Sequence, residues 1–156
     1  MNGGKMCILL TVMYMKTSKE LLSSLLKTTQ MGQVGIRSVL DTGMQPELRK
    51  ALHAQLREYD SIETEAHALA ARRGWEVREL DPAVRFMTDM TVRMRLGNGD
   101  TDSKIAGMMI QGNTRGMIKG LKNLHQLSRS DEPLETLSQK LLDCETAGIR
   151  QMQPFL

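Results

Sequence analysis

Between Thr17 and Met152 the apolar residues recur every three or four positions, and the alternation of period two that marks a strand is absent. Thr17 or Ser18 is placed to cap a first helix carrying Leu21, Leu22, Leu25, Leu26, Ile36, Val39 and Leu40, with Gly43 after Asp41-Thr42 as its stop. Pro46, at a first-turn position, opens a second helix. Its core positions are Leu48, Leu52, Leu56 or Gln55, Tyr59, Ile62, Ala66 and Leu69, and it runs to Gly74. The short link "TGMQ" makes these two helices antiparallel neighbours. Asp81-Pro82 starts a shorter helix with Phe86, Met87, Met90 and Met94 on one side, ended by "GNGD" at 97–100. A long helix then reaches about Ser128 through Ile105 and Met109. The last helix follows "SRSDEP" with Leu134, Leu137, Leu141, Cys144 or Glu145, Gly148, Ile149 and Met152, and stops near Pro154.

Gly112, Gly116 and Gly120 stand four apart in "QGNTRGMIKGLKNLH", so all three lie on one face of the long helix. Each glycine costs a helix interior about 1 kcal/mol relative to alanine. The row is therefore expected to admit a neighbour at close range. Gly32 and Gly35 of the first helix would supply a facing smooth surface, or Trp75 or Tyr59 would fill the groove.

At 156 residues the chain is read as one domain over 17–156. Aromatics are few while methionines number 13, so the interior must be built from Leu, Met, Ile and Ala, which favour helix. Core filling is the plainer role for Met87, Met90 and Met94, an adaptable binding surface the other. Residues 1–16 differ. "MCILLTVMYM" is too short to cross a bilayer, no small-residue cleavage site follows it, and in-frame methionines stand at 1, 6, 13 and 15. The segment is read as an extension, either disordered or an over-called start. Two distant cysteines, Cys7 and Cys144, suit neither a disulfide scaffold nor a thiolate zinc site, and point to the cytoplasm. The net charge of +3 is ordinary, no phosphate loop or nucleophile motif occurs, and no membrane partner is expected.

From about Ser18 to Phe155 the helix order and lengths, with the phrase "RKALHAQLREYDSIETEAHALAARRGWE", resemble small bacterial domains of the ferritin-like superfamily. The resemblance implies an all-α, ferritin-like four-helix bundle, two antiparallel helix pairs joined by a crossover containing a short extra helix. A di-iron centre in such a bundle takes a Glu from each of two helices and a Glu-x-x-His pair from each of the other two. This chain departs from that pattern. Its first helix offers the amides Gln30 and Gln33, its second Glu63 and His67 four apart, its last Glu145, and its long helix no acid between Asp102 and Asp131.

The reading is therefore a non-catalytic structural or interaction protein without cofactor, a homodimer or the companion of another protein. The alternative is an iron- or manganese-binding member using Glu63, His67 and Glu145 with Gln30 and Gln33. Read without metal, Glu63 and His67 form a hydrogen-bonded surface pair and Glu145 falls at the rim of the bundle. His53 and His125 sit on helix surfaces, and Cys144 acts as a small buried hydrophobe. Arg115, Lys119, Lys122 and Arg129 form a basic stripe, read as a solvated face; nucleic-acid binding through it ranks third, since stacking aromatics are missing.

Overall fold

The computed structural model describes residues 16–97, 101–127 and 131–156. The described residues form five α-helices and no strand: α1 (Ser18–Val39), α2 (Pro46–Arg72), α3 (Pro82–Leu96), α4 (Thr101–Gln126) and α5 (Glu132–Met152), followed by a 3₁₀ turn at Gln153–Phe155. Of the extension expected over 1–16, only Lys16 lies among them.

The helix ends follow local chemistry. Thr17 caps α1 by accepting from the Glu20 amide while the Glu20 carboxylate accepts from the Thr17 amide, a reciprocal capping box. Asp81 caps α3 by accepting from the Ala83 amide, with Pro82 in its first turn. After α2 the chain turns at Gly74, whose φ of 64° lies where a side chain is strained. Arg49 of α2 reaches back to the carbonyls of Leu40 and Thr42, filling acceptors left at the end of α1.

The four long helices surround one core. α1 packs on α2, α4 on α5, α2 on α5 and α1 on α4. Their buried stripes hold Leu22, Leu26 and Ile36 of α1, Leu48, Leu52 and Ile62 of α2, Ile105 of α4, and Leu134 and Met152 of α5. Of the two ambiguous pairs in the periodicity, Gln55 is buried rather than Leu56, and Cys144 and Glu145 are both buried. At the end where α2 stops and α5 begins, Arg73 grips Asp131 through two bonds of 2.8 and 2.6 Å. The same guanidinium lies over the Trp75 ring, 4.8 Å from its centroid, so Trp75 closes this end of the bundle and not the glycine groove.

α3 departs from expectation. The segment from Trp75 to Leu80 runs back along α1, with the Arg78 amide donating to Ser23 Oγ and the Leu80 amide to Gln30 Oε1. This lays α3 outside the bundle against α1, with slight contact to α4. Leu96 is its only buried residue. Phe86, Met87, Met90 and Met94 are 63, 61, 43 and 75% exposed, so they do not fill the core. The four long helices pack on one another, and α3 lies beside α1 without entering their core.

Gln55 is 3% exposed and neither atom of its amide has a hydrogen-bond partner. A buried unsatisfied amide is destabilising by about 1 to 3 kcal/mol. Gln55→Met, close to it in shape, is expected to raise unfolding free energy in urea by that amount.

Candidate functional site

One residue from each long helix meets at the middle of the bundle. Tyr59 of α2 donates from Oη to Glu145 Oε2 of α5 at 2.9 Å. Gly32 of α1 lies against the ring: a Cβ there would stand 2.5 Å from Tyr59 Cζ. Gly116 of α4 lies against the carboxyl: its Cβ would stand 2.6 Å from Glu145 Cδ. The two glycines thus make room for the two large side chains. Beside them Asn113 donates to the Glu145 carbonyl at 3.3 Å and fills the space left by Gly148.

Glu145 is 2% exposed, which corrects the expectation that it sits at the rim. The space beside Gly116 and the hydroxyl of Tyr59 hold it inside. Burial pushes its carboxyl up to about 8, with the Tyr59 hydrogen bond acting in the opposite sense, so at neutral pH it is mainly protonated. The Tyr59 phenol is pushed well above its ordinary value by burial and then by Glu145. Burial also pushes the Cys144 thiol up to about 12, so it is no nucleophile.

Tyr59 and Glu145 form the floor of a cleft of about 680 Å³ between α1, α3 and α4. Its walls are largely apolar, with Met31 and Gly35 from α1, Val84 and Met87 from α3, and Met108 and Gly112 from α4. A Cβ at Gly112 would meet nothing within 4 Å, and one at Gly120 only Leu142 Cδ1 at 3.9 Å. The glycine row therefore has three separate roles: open cleft at Gly112, close approach at Gly116, ordinary contact at Gly120. Gly35, 3.9 Å from Met109 Cε, does not form a tight facing surface either.

The residues of the metal alternative are distributed over three places. Gln30 donates to Glu63 Oε2 at 3.0 Å and Glu79 Oε1 at 3.1 Å, so its amide nitrogen occupies the space between two carboxylates where a cation would sit. His67 Nε2 lies 2.7 Å from Glu79 Oε1, and this hydrogen bond holds the Glu79 carboxyl below its ordinary range. Glu63 and His67 therefore meet through Glu79 and Gln30 and not as a direct pair. Gln33 instead donates to Asp60 at 2.8 Å, and Glu145 lies in the core. Among the described residues no three His, Cys, Asp or Glu side chains converge as a metal-ligand group, and these donors do not fit a di-metal centre. Helix periodicity missed Glu79 because it lies in the connection after α2, and missed Asn113 because it stands between two glycines of the row. Arg115, Lys119 and Lys122 are exposed as expected; Arg129 lies outside the described residues.

No protein-family model matches the chain, and no curated protein does. Among solved structures the fold is similar to that of a DUF305 fragment from Deinococcus radiodurans, with a TM-score of 0.70 and 14% identity over 90% of this chain and 95% of that one. The likeness is one of fold alone. The chemistry of the cleft rests on this chain's own residues.

Gly116→Ala is expected to force the buried carboxyl aside and lower stability by about 1 to 3 kcal/mol. Gly112→Ala is expected to raise it by about 0.5 to 1 kcal/mol, because the methyl enters open space and alanine is the better helix former. Urea unfolding of both reads the opposite signs. Glu145 also sets a pH dependence. Its ordinary value is 4.5 and its folded value about 8, so its favourable contribution is complete below about 4.5 and is lost as pH rises to 8. The stability of Glu145→Gln relative to the native chain is expected to climb between those limits, by at most about 1.4 kcal/mol per pH unit, and to level off above.

Proposed function

We propose that this chain is a non-catalytic, ferritin-like helical-bundle protein of the cytoplasm that acts by association, pairing with a second copy through the outer face of α3. One observation carries the reading. Phe86, Met90 and Met94 follow one another four residues apart and form an exposed apolar stripe along a helix that buries only Leu96. Phenylalanine and methionine are enriched at protein interfaces, and methionine adapts its shape to what it meets. A stripe on one helix also suits a two-fold pair, in which the same patch of each copy covers the other.

Sedimentation velocity is expected to give the mass of a dimer, and Met90→Glu with Met94→Glu to give a monomer of unchanged helix content. A native chain that sediments as a monomer would overturn the pairing. The reading includes no cofactor, so protein purified without chelators is expected to carry far less than one iron or manganese per chain. Stoichiometric metal, lost on Glu63→Ala with His67→Ala, favours the metal alternative instead. Binding to DNA that weakens steeply with salt favours the nucleic-acid one.

A further inference from the structure

The geometry points to the cleft between α1, α3 and α4 as a binding site for one single-chain amphiphile with an anionic carboxylate head, such as a free fatty acid. This inference is independent of the pairing through the outer face of α3, because it concerns the inner face of that helix.

The inner face of α3 is incompletely packed. Val84 and Met87 line the cleft, yet they remain 41 and 61% exposed. Opposite them Gly112 leaves open space where any other side chain would intrude. A volume of about 680 Å³ is within the ordinary range of about 300–1,000 Å³ for small-molecule sites. An extended alkyl chain is small enough to lie whole within that volume.

The polar lining of the cleft is cationic. Lys27, Arg95, Arg115 and Lys119 belong to the lining, and Glu145, held protonated on the floor, is the only acid among its described residues. No described carboxylate lies within ion-pair distance of any of the four cations. The Lys119 ammonium is pushed down by loss of water and then by Lys16 and Lys27, the sign of a cationic group lacking a counter-ion. An anionic head at Lys27 and Lys119 supplies that counter-ion while its tail covers Met31, Met87 and Met108. A polyanion would use the same cations and leave the apolar cleft empty, and a cationic amphiphile would be repelled by them.

The test is isothermal titration of the full chain with sodium dodecanoate below its micellar concentration. Expected are one molecule per chain, binding about two hundredfold weaker for octanoate because four methylenes are lost, and binding at least tenfold weaker for dodecyltrimethylammonium. Gly112→Leu, which fills the cleft from an exposed position, is expected to abolish binding while helix content stays unchanged. Lys119→Glu is expected to narrow or reverse the preference between the two head groups. Equal affinity for both, several molecules per chain, or native affinity in Gly112→Leu would overturn the site. Two further outcomes would assign the cleft to another occupant and overturn it too: dissociation of a dimer by Gly112→Leu without any dodecanoate binding, or co-sedimentation with phosphatidylglycerol vesicles without any dodecanoate binding.

Discussion

The contact between Tyr59 and Glu145 is the constraint on which the arrangement of the bundle depends. A phenol and a carboxyl are both withdrawn from water at the centre of the molecule, where the carboxyl accepts a hydrogen bond from the phenol. They fit only because Gly32 and Gly116 have no side chain to oppose them. The pairing joins α2 to α5 across the middle of the bundle and sets how closely α1 and α4 approach. It also places a protonated acid under the cleft, so that a carboxyl in the core adds no negative charge beneath the cationic rim.

The two helical hairpins are built on one pattern of buried positions. Moving from α1 to α4 at a constant offset takes Leu21 to Ile105, Leu25 to Met109, Thr29 to Asn113, Gly32 to Gly116 and Val39 to Asn123, and all but Gly32, which is half-buried against Tyr59, are buried. From α2 to α5 a constant offset takes Leu48 to Leu134, Tyr59 to Glu145 and Ala66 to Met152. The central hydrogen bond thus joins corresponding positions of the two hairpins, and the two glycines correspond as well. The pattern is hidden in the letters because the positions are shared while the residues differ: tyrosine stands opposite glutamate, and threonine opposite asparagine.

α3 is the element this pattern does not absorb. It spans from the end of one hairpin to the start of the other and lies along α1, tied by Leu96 and by polar bonds such as Arg93 to Asp41 at 2.8 Å. Having two largely unburied sides, it presents an outer stripe of Phe86, Met90 and Met94 and an inner wall to the cleft. Both functional readings follow from that position. A helix held to its own chain by so little apolar burial is available to another surface or to a ligand beneath it.

Helix number, order and ends were legible in the sequence, because apolar period, caps and breakers act within a few residues of one another. Thr17, Pro46, Asp81 and Gly74 each do locally what their chemistry dictates. Which face of each helix turns inward at ambiguous positions was not legible: Gln55 and Glu145 are buried although polar, because glycines on other helices leave space for the polar layer to which they belong. Composition favours the core over an adaptable surface for the methionines of α3, and only the course of the connection from Trp75 to Leu80 sets them outside it. The glycine row could be placed on one face by counting, but its three different surroundings are made by α3, Glu145 and Leu142, which lie far away in the chain. Local chemistry acts over one helical turn, and the chain alone determined what depends on it. The cleft, the buried acid and the exposed stripe depend on distances between helices, which only their packing decides.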